Sequence, residues 1–225
     1  MKIQLALDHT SLESALPVAI AVAQYVDIIE LGTPLIKTAG LYGLRVMRHA
    51  FPKHLIVADL KTMDAGEYEA TPFLKAGADI VTVLGAADDD TIKGVVKAAH
   101  DHQMKAQVDL INIDNKVKRT SEIYFLNGDI IGIHTGIDQQ NKGQTPLSDL
   151  KIVSDLVRAS YPHLAISVAG GINLRTLLPI VVEHPDIIVV GGAITSALNP
   201  KEVAHNMRHL INEYTDDTRE IINNV

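Results

Sequence analysis

Within six residues the chain places an acid, a base and an acid, in the run Asp59-Leu60-Lys61-Thr62-Met63-Asp64, with Ala65-Gly66 directly after it. A lysine beside carboxylates stays protonated and can hold negative charge that develops on a reacting oxygen. A surface ion pair is the plainer reading, but the small residues that follow suit a tight functional loop better than a packed face. Asp8, Glu30, Asp109 and His134 close or nearly close other short apolar runs. One charge at a strand end merely solvates it; six such residues, counting Asp59 and Lys61, call for a shared cavity. Side chains alternate faces along a strand, so Asp59 and Lys61 are expected on one side, as are Gln4, Ala6 and Asp8.

Carboxylates gathered in a partly dry pocket repel one another unless a cation neutralises them, a task for Lys61 and a divalent ion. Oxygen ligands such as Glu30 and Asp59, in a chain without cysteine, favour a hard cation: Mg²⁺, with Mn²⁺ as the alternative. Among ten histidines, His134 alone ends an apolar run, where it can exchange a proton near neutral pH. His9 belongs near the mouth of the same site, and the remaining histidines read as surface residues. Two glycine pairs, Gly170-Gly171 and Gly191-Gly192, follow the last two runs, and each is expected to lead into a helical segment. Bare amides and helix N-termini in such loops hold phosphate, and a Cβ would block the approach.

These residues can meet only if the runs lie side by side. Eight Val/Ile-rich segments recur, at 3–8, 27–31, 55–61, 79–84, 106–110, 129–134, 165–169 and 186–190. They have few polar interruptions, as strands of a parallel sheet do. Segments 11–25, 88–102, 146–161 and 200–214 carry apolar residues at helical spacing after capping residues. Gly77-Ala78-Asp79 and Asn127-Gly128-Asp129 give a glycine that can end a helix in the left-handed conformation. Strict alternation predicts one (β/α)₈ TIM barrel over 1–214, with 215–225 a polar, acidic tail with a frayed end; an open doubly wound sheet is the competing arrangement. In a barrel the C-terminal strand ends form the active site, and the loops after strands seven and eight are its usual phosphate site.

Composition sets the outer bounds. A 47% apolar share supplies a large core, and no apolar stretch is long enough for a membrane span or reads as an export signal, so a cytoplasmic protein is expected. The absence of cysteine excludes disulfides and thiol chemistry. A net charge of −7 argues against nucleic acid as a partner, while a small anionic substrate held by local amides and a metal stays compatible with it.

Taken together, Gln4-Leu5-Ala6-Leu7-Asp8, Glu30-Leu31-Gly32-Thr33-Pro34, the run from Ala58 to Gly66, Val81-Thr82-Val83-Leu84-Gly85, His134-Thr135-Gly136, Ala169-Gly170-Gly171-Ile172 and Val190-Gly191-Gly192-Ala193-Ile194-Thr195 resemble the 3-hexulose-6-phosphate synthases. These are orotidine-monophosphate-decarboxylase-like barrels, and the likeness spans nearly the whole predicted barrel. The resemblance implies a Mg²⁺-dependent aldol condensation of formaldehyde with D-ribulose 5-phosphate to D-arabino-3-hexulose 6-phosphate, and its reversal. It makes Glu30 and Asp59 metal ligands and sets Lys61 beside an enediolate. Asp8 then orients Lys61 and substrate hydroxyls, His134 is the acid/base, and Asp109 is a further acidic site residue. Gly170, Gly171, Gly191 and Gly192 bind phosphate. Asp64 acts across the interface of a homodimer. The related 3-keto-L-gulonate-6-phosphate decarboxylases carry arginine where this chain has Thr135 and Gly192. A ribulose-phosphate epimerase would need several strand-end histidines, and a silent sugar-phosphate sensor has no use for a cation poised among acids.

Overall fold

The computed structural model describes the backbone of residues 1–223 and side chains through residue 215. Eight parallel strands close into a barrel in sequence order, with β8 pairing back onto β1. They are β1 (Lys2–Leu7), β2 (Ile28–Leu31), β3 (Leu55–Thr62), β4 (Ile80–Leu84), β5 (Lys105–Asp109), β6 (Ile130–His134), β7 (Ala165–Ala169) and β8 (Ile187–Val190). The helices around them are α1 (Leu12–Val22), α2 (Thr33–Ala50), α3 (Gly66–Ala76), α4 (Asp89–Asp101), α5 (Lys116–Phe125), α6 (Ile137–Gln140), α7 (Leu147–Ser160), α8 (Leu177–Val182), α9 (Gly192–Thr195) and α10 (Pro200–Asn223). The predicted barrel is therefore found. Helix α10 continues into 215–223, which the sequence reading sets apart as tail, and 224–225 lie outside the described residues. Among the described residues no helix is long and apolar enough to cross a membrane.

The strands bury both faces, which is why their sequences lack a polar stripe. Outward residues such as Leu5, Ile29, Ile56, Val81 and Ile131 pack with helical Leu44, Met47, Ile92 and Val153 in one continuous core. A separate apolar cluster fills the barrel's N-terminal end. It includes Ile28, Ile80, Ile130 and Ile187, the first residue of each even-numbered strand, all buried. Above this plug most inward positions turn polar: Gln4, Gln107 and Ser167 beside Val57, then Glu30 and Thr82 beside Val189, then Asp59 and Asp109.

The residue just before each even-numbered strand is an aspartate. Asp27, Asp79, Asp129 and Asp186 accept the backbone N–H of Ile3, Ile56, Ala106 and Ile166 at 2.7–2.9 Å, tying each to the preceding odd-numbered strand. Gly77 ends α3 in the left-handed conformation as predicted. After α5 it is Asn127, not Gly128, that has positive φ; Gly128 is needed because a Cβ would fall 2.6 Å from Ile123 Cγ2.

Candidate functional site

A cavity of about 1220 Å³ opens at the C-terminal ends of the strands. Asp8, Glu30, Asp59, Lys61, Asp109 and His134 all line it, and so do Gly170, Gly171, Gly191 and Gly192. His9 reaches the same cavity, as expected.

Asp59 is the hub. Its Oδ2 accepts from the Thr33 hydroxyl at 2.7 Å and from Lys61 Nζ, and its Oδ1 accepts from the Thr82 hydroxyl at 2.8 Å. Lys61 Nζ also donates to Thr33 Oγ1 at 3.0 Å and lies 3.7 Å from Asp109 Oδ2. The meeting of Asp59 and Lys61 does not come from the plain two-residue alternation expected of a strand. The register of β3 against β4 shifts between Ala58 and Thr62, and Lys61 sits at φ +47°. A left-handed non-glycine residue costs about 1–2 kcal/mol and persists only where its surroundings impose it. Here Thr82 imposes it, because its hydroxyl also accepts the Lys61 N–H at 2.9 Å.

The electrostatics follow from crowding. Burial pushes the Asp59 carboxyl up, but the Lys61 ammonium and the hydrogen bonds more than offset this and hold it below its ordinary value. Burial likewise works against the Lys61 charge, and Asp59 and Asp109 overcome it, so the ammonium is stabilised. Glu30 has no such partner. Burial, then the charge of Asp59, drives its carboxyl well above the ordinary range, although Gln4 Nε2 donates to it at 2.7 Å. Asp8 faces the cavity mouth over Gly32, where a Cβ would fall 2.2 Å from its Oδ1. Surrounding protein and the charge of Asp59 push it up as well. His134 Nδ1 lies 2.8 Å from Asp109 Oδ2. The tautomer that donates Nδ1–H to Asp109 leaves Nε2 as a free base, the usual way a carboxylate orients a working imidazole.

The glycine pairs differ from each other. Gly191 caps α9 directly, and the amides of Gly192 and Ala193 in its first turn lack intrahelical partners. A Cβ on Gly192 would meet nothing within 4 Å, so space remains for a ligand to approach. The pair after β7 does not lead into a helix, which is a correction: Asn173 and Thr176 build a turn and α8 begins only at Leu177. Gly170 has φ +116°, and a Cβ there would fall 2.4 Å from Thr135 O, so packing requires it in addition to any ligand. Gly171 has φ +67°. Neither glycine's N–H has an acceptor among the described residues.

Asp64 is the predicted site residue that the cavity does not gather. It is exposed in the loop after β3 and accepts the Ala65 N–H at 2.7 Å. Sequence reasoning missed Thr33, Thr82, Gln107 and Ser167, and took Gln4 only as a marker of strand face. Gln4 and Gln107 were within reach, since each lies an even number of residues below a strand-end acid. The hydroxyls carried no such signal.

No cluster of three or more His, Asp or Glu suited to a metal occurs among the described residues, so an ion here would have to rest on the oxygens of Glu30 and Asp59 alone among the carboxylates named for it. Mg²⁺ is compatible with so few protein ligands, because it takes one or two carboxylates and fills its shell with water and substrate oxygens.

Residues 1–207 match the model of the "Orotidine 5'-phosphate decarboxylase / HUMPS family". The chain is 49% identical to the 3-hexulose-6-phosphate synthase of Methylomonas aminofaciens over 201 residues, covering 89% of this chain and 94% of that protein. The crystal structure of 3-hexulose-6-phosphate synthase from Salmonella typhimurium superposes with a TM-score of 0.91 at 35% identity, covering 95% and 99% of the two chains. That of 3-keto-L-gulonate-6-phosphate decarboxylase from Vibrio cholerae gives 0.82 at 29% identity, covering 94% and 97%.

Proposed function

The chain belongs to the orotidine 5'-phosphate decarboxylase / HUMPS family, and from that premise we propose that it is a lyase joining formaldehyde to D-ribulose 5-phosphate, and cleaving the product, D-arabino-3-hexulose 6-phosphate. The observation that carries this reading is the contact chain from Asp59 through Lys61 and Asp109 to His134, which sets a held ammonium and a free imidazole nitrogen in one cavity.

In this reading the sugar's phosphate lies on the amides of Gly170, Gly171, Gly191 and Gly192, with that of Ala193 beside them. Mg²⁺ or Mn²⁺, held by Glu30 and Asp59, supplies when bound a positive charge beside the ketose oxygens. His134 Nε2 takes a proton from C1 of the ketose. The Lys61 ammonium, fixed by Asp59 and Thr33, stabilises the negative charge left on the neighbouring oxygen. Asp109 holds the imidazole in its working tautomer and Asp8 meets substrate hydroxyls. C1 then bonds to the carbon of formaldehyde, whose oxygen takes up a proton, so the reaction is a net addition with nothing expelled.

Asp64 completes the site from a second copy of the chain. Its exposure supports this, as does that of the neighbouring apolar Met63 and Tyr68. Thr135 and Gly192 weigh against the decarboxylase. The test is formaldehyde consumption with ribulose 5-phosphate, with and without EDTA, beside carbon dioxide release from 3-keto-L-gulonate 6-phosphate. Chelator-sensitive formaldehyde consumption supports the synthase, and efficient decarboxylation without it would overturn that reading.

A further inference from the structure

The interior of a closed eight-stranded barrel is ordinarily filled with branched apolar side chains. Here one level of it is polar except for Val57. Gln107 on β5 and Ser167 on β7 face inward above the isoleucine plug, with relative exposures of 8% and 1%. Gln107 Oε1 and Ser167 Oγ are buried without a hydrogen-bond partner among the described residues, and both residues line the cavity. Buried polar groups left unpaired are costly, and most that persist in folded proteins are matched by something. Gln4, at the same level, also has an unpaired Oε1, but its Nε2 is already committed to Glu30.

Gly132 on β6 makes room beside this pair. It is registered opposite both Asp109 and Ser167, and a Cβ at this position would sit 3.2 Å from Gln107 Nε2. An alanine would therefore crowd the space in front of the amide without backbone strain, because Gly132 is absent from the positive-φ glycines. Gln107 lies two residues before Asp109 on one strand face, roughly 6.6 Å deeper at the usual rise per residue. The polar pocket is thus directly beneath the Asp109–His134 pair.

We propose that Gln107 and Ser167, with the room left by Gly132, bind the one-carbon aldehyde acceptor beneath the reacting carbon. The inference rests on the aldol reading given above. An aldehyde oxygen accepts two hydrogen bonds: the unpaired Ser167 hydroxyl can donate one and Gln107 Nε2, which faces the space at Gly132, the other, while the unpaired Gln107 Oε1, itself an acceptor, is left to water. When C1 of the ketose bonds to the aldehyde carbon, the electron pair of its C=O moves onto that oxygen, and the same donors stabilise the alkoxide until it is protonated.

The experiment separates the two halves of the reaction. Exchange of the C1 hydrogen of ribulose 5-phosphate in D₂O, followed by NMR without formaldehyde, reads proton removal alone. Condensation kinetics read acceptor use. For Q107L, kcat/KM for formaldehyde should fall by about 10- to 100-fold, with C1 exchange and KM for ribulose 5-phosphate near wild type. G132A, which keeps every polar group, should show the same split and guards against poor folding of Q107L. Unchanged condensation in both variants would mean that the pocket only holds water and would overturn the proposal. Equal loss of exchange and condensation would overturn it too, as a general effect on the site. If the wild-type protein neither exchanges nor condenses, it is the aldol reading that falls.

Discussion

Asp27, Asp79, Asp129 and Asp186 at the N-terminal end of the barrel, and Asp8, Glu30 and Asp59 at the C-terminal end, are the same chemistry put to opposite uses. Each lower carboxylate accepts a strand amide, and three of them also face a cation: Arg208, Arg48 at 2.8 Å and Lys105 at 2.7 Å. They knit odd strands to even ones. The upper acids share one ammonium among several carboxylates, and burial leaves Glu30 and Asp8 pushed upward. A carboxylate satisfied by backbone contributes to the fold, whereas one kept short of partners is available to a ligand. The contrast teaches that acidity alone does not mark a site; carboxylates crowded about one ammonium do, with Asp59 holding Lys61 and Glu30 and Asp8 left short of partners.

The comparison would be broken most sharply by the metal. EDTA should abolish condensation, with Mg²⁺ or Mn²⁺ restoring it, while the circular dichroism spectrum stays native. Activity that survives exhaustive chelation would remove the reason for the crowded upper acids. Next in size, K61A should lower kcat by about 10³-fold or more while the barrel still unfolds cooperatively, because transition-state charge is lost along with the partner of Asp59. A K61A enzyme of near-normal turnover would refute the assigned role.

At the other end, D79A should leave kcat and KM unchanged and destabilise the protein by about 1–3 kcal/mol, since the Ile56 amide and Arg48 lose their acceptor. Calorimetry should then show a fall in Tm of several degrees. A kinetic defect as large as that of K61A would erase the distinction between the two ends.

The smallest effect sharpens the comparison. Glu30 binds its proton more tightly in the folded than in the unfolded chain, so its stabilising contribution is full below about pH 4.5, its ordinary value, and is lost as pH rises towards the folded value. In EDTA, E30Q should therefore raise Tm at neutral pH and change it little near pH 4. Asp59 has the opposite sign: its folded value is lowered, so its contribution is present above about 3.8 and lost as pH falls through the folded value. A destabilised E30Q at neutral pH would show that Glu30 is better satisfied than its surroundings indicate.

Eight runs, their order and the strand-end position of Asp8, Glu30, Asp59, Asp109 and His134 were legible in the sequence, because strand alternation and helix periodicity are local and each leaves its mark within a few residues. So was the pairing of glycines after the last two strands. The role of the four lower aspartates was not. Each looked like the first residue of its strand, and only the register of the neighbouring strand shows which amide it holds.

The sequence by itself determined that the chain closes a barrel and which residues reach its rim, since the period of the apolar pattern dictates both. Tertiary structure alone decided how they meet: that Lys61 bends to Asp59 through a left-handed residue, that Asp64 points away, and that Gln107 and Ser167 share a pocket beside Gly132. The physical reason is distance along the chain. A bulge forced by Thr82, or a pocket shared by three strands, depends on contacts between segments some twenty residues or more apart, which only the paired strands bring together.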